Sequence, residues 1–290
     1  MANANILGTY AGDNVYPKDE QQLKMLANSG ITTVIPWTIH IAHESPTGPQ
    51  GKAGDLSFNV TYPLASEGKY KGDSKWNDLL QCLKTDGTVN RIILSIGCCG
   101  QFNEIKNLGT TANGILHKNF QAIHAALPAI DGIDFDNESN YDANTTVNFA
   151  LMLHDIGFNE VTFCPYTNEN KWISWLQAIN KKHPGFVTGF NLQCYSGGAG
   201  NNPVDWMKAL KGIVPNPPGF VFPGLAAQNE NNGGDSPKAM TKILKTWNKA
   251  CRDEFGEPMQ GAWLWNYDSI LKHKDHTFDD YVKALKAGLE

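Results

Sequence analysis

The chain has 290 residues, 41% hydrophobic and 18% charged, a composition that supports a sizeable globular core. A formal net charge of −5 leaves no basic footprint for nucleic acid and no general attraction to an anionic membrane surface. No run of about 18 apolar residues is present to cross a membrane, and the opening MANANILGTY lacks the charged and apolar regions of a signal peptide, unless Met1 replaces a removed leader.

Apolar, β-rich runs alternate with amphipathic runs along the whole length. ILGTYAG, from Ile6, reads as a strand. PKDEQQLKMLANSG then reads as a helix, with Pro17 near its start, Leu23, Met25 and Leu26 on one side and Gly30 as its stop. ITTVIPWTIH, RIILSIGCC, DGIDFDNE, VTFCPY, GFNLQCYS, GFVFPGLAA and MQGAWLWNYD follow as strands. The helices after them are DSKWNDLLQCLKTDG, GILHKNFQAIHAALP, ANTTVNFALMLHDIG, NKWISWLQAINKKH, PVDWMKALKG, SPKAMTKILKTWNKACRDEFG and FDDYVKALKAGL. The strands are continuous apolar runs, the pattern of parallel strands covered on both faces. Eight such units predict an α/β protein built as one (β/α)₈ TIM barrel over residues 1–290. An open doubly wound sheet is the competing architecture, but GTYAGDN is not the Gly-rich phosphate turn that follows its first strand.

One connection is long. Residues 40–72 separate the second strand from the second helix, and LSFNVTYP within them could form a short strand. Loops longer than about 12–15 residues are usually functional or disordered, and in a barrel this one would lie on the active-site face. Six cysteines are scattered, with no CxxC or Cys/His ligand spacing, so no metal site is expected and most should be buried free thiols.

The densest signal is AIDGIDFDNES, which threads Asp131, Asp134, Asp136 and Glu138 through the apolar residues Ile130, Ile133 and Phe135. Side chains at i, i+2 and i+4 of a strand share a face. Asp134, Asp136 and Glu138 would therefore point to the barrel axis, with Asp134 deepest and Glu138 nearest solvent. Carboxylates so close cannot all ionise, and at least one should hold a proton, as a general acid near neutral pH must. The spacing leaves three readings open: acid–base catalysis, a Mg²⁺ site at the barrel mouth, and a solvated acidic face, which the apolar neighbours oppose. An EF-hand is excluded because Ser139 stands where that loop needs Gly.

DGIDFDNE resembles the DxxDxDxE signature of glycoside hydrolase family 18, the chitinase family, at all four acidic positions. LSIGCCG is similar to the family's third-strand SxGG, keeping Ser95 and Gly97 with Cys98 for the second Gly. LQCYSG is similar to the sixth-strand segment, with Gln193 and Tyr195, and GAWLWNYD to the eighth-strand segment ending at Trp265. The resemblance implies a retaining hydrolase of β-1,4 bonds next to N-acetylglucosamine, acting by substrate-assisted catalysis, in which the sugar's own acetamido carbonyl attacks. Glu138 would be the general acid. Asp136 would orient the acetamido N–H, and Asp134 would share a proton with Asp136. Tyr195 would donate to the acetamido oxygen, and Trp265 would floor the −1 sugar. Tyr10, Trp37 and Gln193 are further substrate-binding candidates, and Asp131, Ser95 and Gly97 structural ones.

The same resemblance implies no cofactor and no metal, chitin or chitooligosaccharides as partner rather than nucleic acid or membrane, a monomer, and secretion. Leu225 to Met259 leaves no room for the small α+β domain that many processive members insert before the eighth strand, which favours an open cleft and endo-acting cleavage. An endo-β-N-acetylglucosaminidase acting on N-glycan cores and a non-hydrolytic carbohydrate-binding protein on the same fold are the alternatives. Phe102 and Tyr141 are added candidates for sugar contact, whereas Trp172 and Trp206 fall on helices or their entries, where core or surface packing is expected. Three Asn-x-Ser/Thr sequons occur, at Asn59, Asn137 and Asn144, and Asn137 should face the helix layer with no room for a glycan.

Overall fold

The structure, a computed structural model, describes residues 6–17, 20–43, 51–98, 100–228, 233–273 and 275–290. Its strands are β1 (Ile6–Ala11), β2 (Thr33–Pro36), β3 (Ile39–Ile41), β4 (Leu56–Phe58), β5 (Tyr62–Ser66), β6 (Lys69–Tyr70), β7 (Arg91–Gly97), β8 (Gly132–Asp136), β9 (Glu160–Phe163), β10 (Val187–Gln193), β11 (Val221–Ala226) and β12 (Gly261–Trp265). Its helices are α1 (Glu20–Ala27), α2 (Trp76–Thr85), α3 (Gln101–Leu108), α4 (Ile115–Ala126), α5 (Ala143–Ile156), α6 (Glu169–Lys182), α7 (Pro203–Ala209), α8 (Pro237–Phe255), α9 (Tyr267–Lys272) and α10 (Phe278–Leu289).

β1, β2 and β7 to β12 pair in parallel, each with its neighbour in the chain, and the ring closes where β12 pairs with β1 and β2 with β7. This is the (β/α)₈ barrel expected from the alternating runs. Between β11 and β12 the described residues hold α8 and no inserted domain. None of the described helices is long and apolar enough to cross a membrane.

Outward-facing strand residues such as Ile133, Phe135, Val161 and Phe163 pack with the helices in one continuous core. Inside the barrel, Tyr10, Ile35, Cys164, Phe222 and Trp263 form a separate cluster. Trp263 is the largest of these, and its neighbours are small for that reason. A Cβ on Gly224 would stand 2.1 Å from Trp263 Cε2, and one on Gly8 3.1 Å from Trp263 Cβ.

Several details depart from the expected pattern. Met25 is 56% exposed rather than on the buried side of α1. The short helix α3 fills what read as a loop, α9 takes the last two residues of what read as the eighth strand together with the loop after it, and the second strand is broken into β2 and β3. The long connection is folded rather than a loose excursion. β3 pairs with β7 at Ile39–Ile96, and β4, β5 and β6 continue from it as an antiparallel meander. Asn119 on α4 accepts from Gly68 N–H and donates to Gly54 C=O, both at 2.7 Å. Tyr16 stacks on Tyr62 at 4.2 Å beside Phe58 and Trp76. Residues 44–50 of the connection lie outside the described residues. Among the described residues Cys164, Cys194 and Cys251 are buried free thiols, Cys82 is an exposed one and Cys98 is buried, while Cys99 lies outside the described residues.

Candidate active site

The C-terminal ends of the strands carry a row of acidic groups of increasing exposure. Asp134 is 0% exposed and Asp136 3%, while Glu138, two residues past the end of β8, is exposed. Asn137 between them turns away and is fully buried, its amide engaged by the backbone of Ser139 and Asn140.

Asp134 is saturated. Tyr10 Oη (2.8 Å) and Ser95 Oγ (2.9 Å) donate to Oδ2, and Thr162 Oγ1 (2.6 Å) and Asn191 Nδ2 (3.0 Å) donate to Oδ1. Burial pushes its carboxyl above the ordinary range, and the four donors draw it back by favouring the ionised form. No hydrogen bond links Asp134 to Asp136.

Asp136 is turned the other way. Its Oδ2 accepts from Trp37 Nε1 at 2.9 Å and its Oδ1 from Gln193 Nε2 at 3.1 Å. The same Gln193 nitrogen lies 3.3 Å from Glu138 Oε1, so one amide spans both carboxyls. Burial, and then the charge of Glu138, hold Asp136 well above the ordinary carboxylate range. Asp136 is therefore disposed to keep a proton. Cys164 Sγ sits 3.5 Å from Gln193 Nε2, and burial pushes that thiol well up, leaving it a small neutral neighbour and no nucleophile.

Aromatic rings wall the same space. Trp265 meets Trp37 edge-on at 4.9 Å, Tyr10 at 5.6 Å and Tyr195 face-on at 6.1 Å. Trp263 lies beneath, 4.6 Å from Tyr10 and 5.7 Å from Tyr195. Trp37, Tyr195 and Trp265 keep partial exposure. Burial holds the Tyr195 hydroxyl well above the usual phenol range, so it remains a donor. Asn201 Nδ2 donates to the carbonyls of Tyr166 and Gln193 and fastens the turn that presents Tyr195.

The structure brings Asp134, Asp136, Glu138, Trp37, Gln193, Tyr195 and Trp265 together. Tyr10 is a correction. It is 0% exposed, and its hydroxyl is spent on Asp134, so it supports the site from below and cannot touch a sugar. Phe102 is likewise wholly buried, in α3, and Trp172 and Trp206 are core residues. Ser95 holds Asp134. Gly97 passes so close to β8 that a Cβ would stand 1.9 Å from Asp136 O, at a φ of +153°. Asp131 is far below, at the start of β8, where it pairs with Lys84 (2.7 Å) and accepts from Ile92 N–H (2.8 Å). Thr162, Asn191 and Trp263 were not foreseen. Their signal is the one that revealed Asp134: inward-facing polar or outsized residues in apolar strands.

The fold and site define a TIM barrel with a graded carboxyl row and an aromatic floor at its mouth. No family model and no curated protein matches the sequence. Solved structures do match its fold. The catalytic domain of a family GH18 chitinase from the fern Peteris ryukyuensis superposes with a TM-score of 0.57 at 14% identity, over 98% of this chain and 98% of that one. The GH18 chitinase ChiB from the chitin utilization locus of Flavobacterium johnsoniae gives 0.60 at 11%, over 97% and 94%. Human YKL-39, described as a pseudo-chitinase with retained chitooligosaccharide binding, gives 0.62 at 11%, over 99% and 100%. The chain therefore has the fold of the GH18 chitinases.

Proposed function

We propose that the protein is a family 18 glycoside hydrolase, an endo-acting chitinase that cleaves β-1,4 linkages of N-acetylglucosamine polymers with retention. The observation that carries this reading is the graded row itself. Asp134 is sealed and filled, Asp136 is oriented but barely accessible, and Glu138 alone in the row reaches solvent. A two-carboxylate retaining mechanism needs a second carboxylate free to attack carbon. Neither partner in the row is free to do so, which favours attack by the substrate's own acetamido oxygen.

In this mechanism Glu138 protonates the leaving glycosidic oxygen. Asp136, aimed by Trp37 and Gln193, accepts from the acetamido N–H and stabilises the cyclic cation as it forms. Tyr195 donates to the acetamido oxygen, Trp265 lies under the −1 sugar ring, and the free face of Trp37 borders the cleft. Gln193 shares its amide between Asp136 and Glu138 and adjusts both as charge moves. Asp134, Ser95, Thr162, Asn191 and Tyr10 hold the base of the row. The absence of a domain between β11 and β12 among the described residues leaves the cleft open, which suits internal cleavage of a polymer.

Wild type and Glu138→Gln are incubated with chitin oligosaccharides and with a high-mannose glycopeptide, and products are followed by mass spectrometry. Internal cleavage of the oligosaccharides by wild type alone is expected. Cleavage of the glycopeptide alone moves the substrate to N-glycan cores with the mechanism kept. Binding of oligosaccharide without cleavage by either form overturns the hydrolase reading in favour of a binding protein.

A further inference from the structure

At the opposite end of the barrel from Glu138, α5 and α6 end side by side beneath β9 and β10. His154 lies in the last turn of α5, and His183 directly follows α6. Their rings stack with centroids 3.5 Å apart and 26° between planes, and Phe186 backs His154 edge-on at 5.0 Å. Asp155 brings Oδ1 to 3.8 Å from His154 Nδ1, too far for a hydrogen bond. That Nδ1 is sealed from solvent and has no hydrogen-bond partner. One donor atom from each of His154, Asp155 and His183 lies within 4.8 Å of the other two. Both imidazoles also line a cavity between the helix ends, beside Asn159 and Gly185.

A buried polar nitrogen without a partner calls for one. Here the surrounding groups are two imidazoles and a carboxylate, a set that suits Zn²⁺, Ni²⁺ or Cu²⁺ better than Mg²⁺ or Ca²⁺. Two nitrogens bound to tetrahedral zinc at about 2.0–2.1 Å lie about 3.4 Å from each other. The ligand atoms already lie within 4.8 Å of one another, and the stacked imidazoles must turn about their side-chain torsions to point both lone pairs at one ion. Asp155 is exposed and can rotate to close the remaining gap.

We propose that His154, Asp155 and His183 form a binding site for a divalent cation of the zinc type, with solvent at the fourth position. The bound ion ties the end of α5 to the end of α6. It lies on the barrel face that serves stability rather than catalysis, so its role is structural and independent of the carboxyl row.

The test titrates zinc chloride into wild type, His154→Ala and His183→Ala, read by calorimetry and by thermal denaturation. Wild type binds one ion and gains Tm, as a ligand of the native state alone must cause. Each variant binds at least about tenfold more weakly, in line with what disturbed metal sites lose, and shows no gain in Tm. Hydrolytic activity is the same with and without zinc in all three. Absence of binding by wild type overturns the proposal. So does undiminished binding by the variants, which places the ion elsewhere, as at the stacked His273–His276 pair or the exposed Cys82. Should either alanine variant misfold, Asp155→Asn carries the test: weaker binding supports the site and unchanged binding refutes it.

Discussion

Trp37→Phe separates the orienting role of Trp37 from its stacking role. The substitution keeps an aromatic ring against Trp265, 4.9 Å away, and deletes the N–H that holds Asp136 Oδ2 at 2.9 Å. A hydrogen bond to a charged group is worth about 1.5–3 kcal/mol, and about 1.4 kcal/mol is a tenfold change in rate. The bond favours ionised Asp136, so its loss raises the pKa of a carboxyl that burial and Glu138 already hold high. The acidic limb of the pH–rate profile should therefore move to higher pH. With Gln193 still donating to Oδ1, kcat on chitin oligosaccharides should fall by roughly tenfold, the lower end of that range, while KM changes little. Steady-state kinetics across pH, with Tm to confirm folding, give the answer. A folded variant with unchanged kcat and unchanged pH dependence refutes the orienting role. A rise in KM alone would show instead that Trp37 contributes uniform binding.

Two further substitutions probe the base of the row. Asp136 has a folded-state pKa above its unfolded value, so the native state binds its proton more tightly. That contribution to stability is full below the unfolded pKa and is lost as pH rises through the folded pKa. Asp136→Asn removes this loss: urea unfolding should find the variant gaining on wild type as pH rises through that window, with activity gone. A constant stability difference over the same window would contradict the raised pKa. Thr162→Val deletes one of the two donors to Asp134 Oδ1 with little change in shape. It should cost about 1–3 kcal/mol of stability, visible as a drop in Tm, and an unchanged Tm would show that Asn191 satisfies that oxygen alone.

The barrel was legible because its strands are continuous apolar runs and its helices carry one apolar side, and these two periods alternate eight times. The carboxyl row was legible because charge inside an apolar strand demands a reason. Direction within the site was harder to read. Tyr10 stands near a strand end, as a sugar-binding residue would, but its position on the inner face of β1 sends the hydroxyl down onto Asp134. Thr162 and Asn191 are ordinary residues whose importance depends on the register of β8, β9 and β10, which is a long-range property. Of the meander of β4 to β6 only LSFNVTYP read as a possible short strand, because its strands are three, five and two residues long, too short for periodicity to register. The helices α3 and α9, of eight and six residues, escaped for the same reason.

The central claim is that the sugar's own acetamido group attacks while Glu138 protonates and Asp136 orients. It is tested most directly by offering matched oligosaccharides, one N-acetylated throughout and one fully deacetylated, and measuring initial rates of cleavage. Rapid cleavage of the acetylated chain and none of the deacetylated one is expected. Comparable cleavage of both would mean that the nucleophile comes from elsewhere, and the mechanism built on this carboxyl row would be wrong.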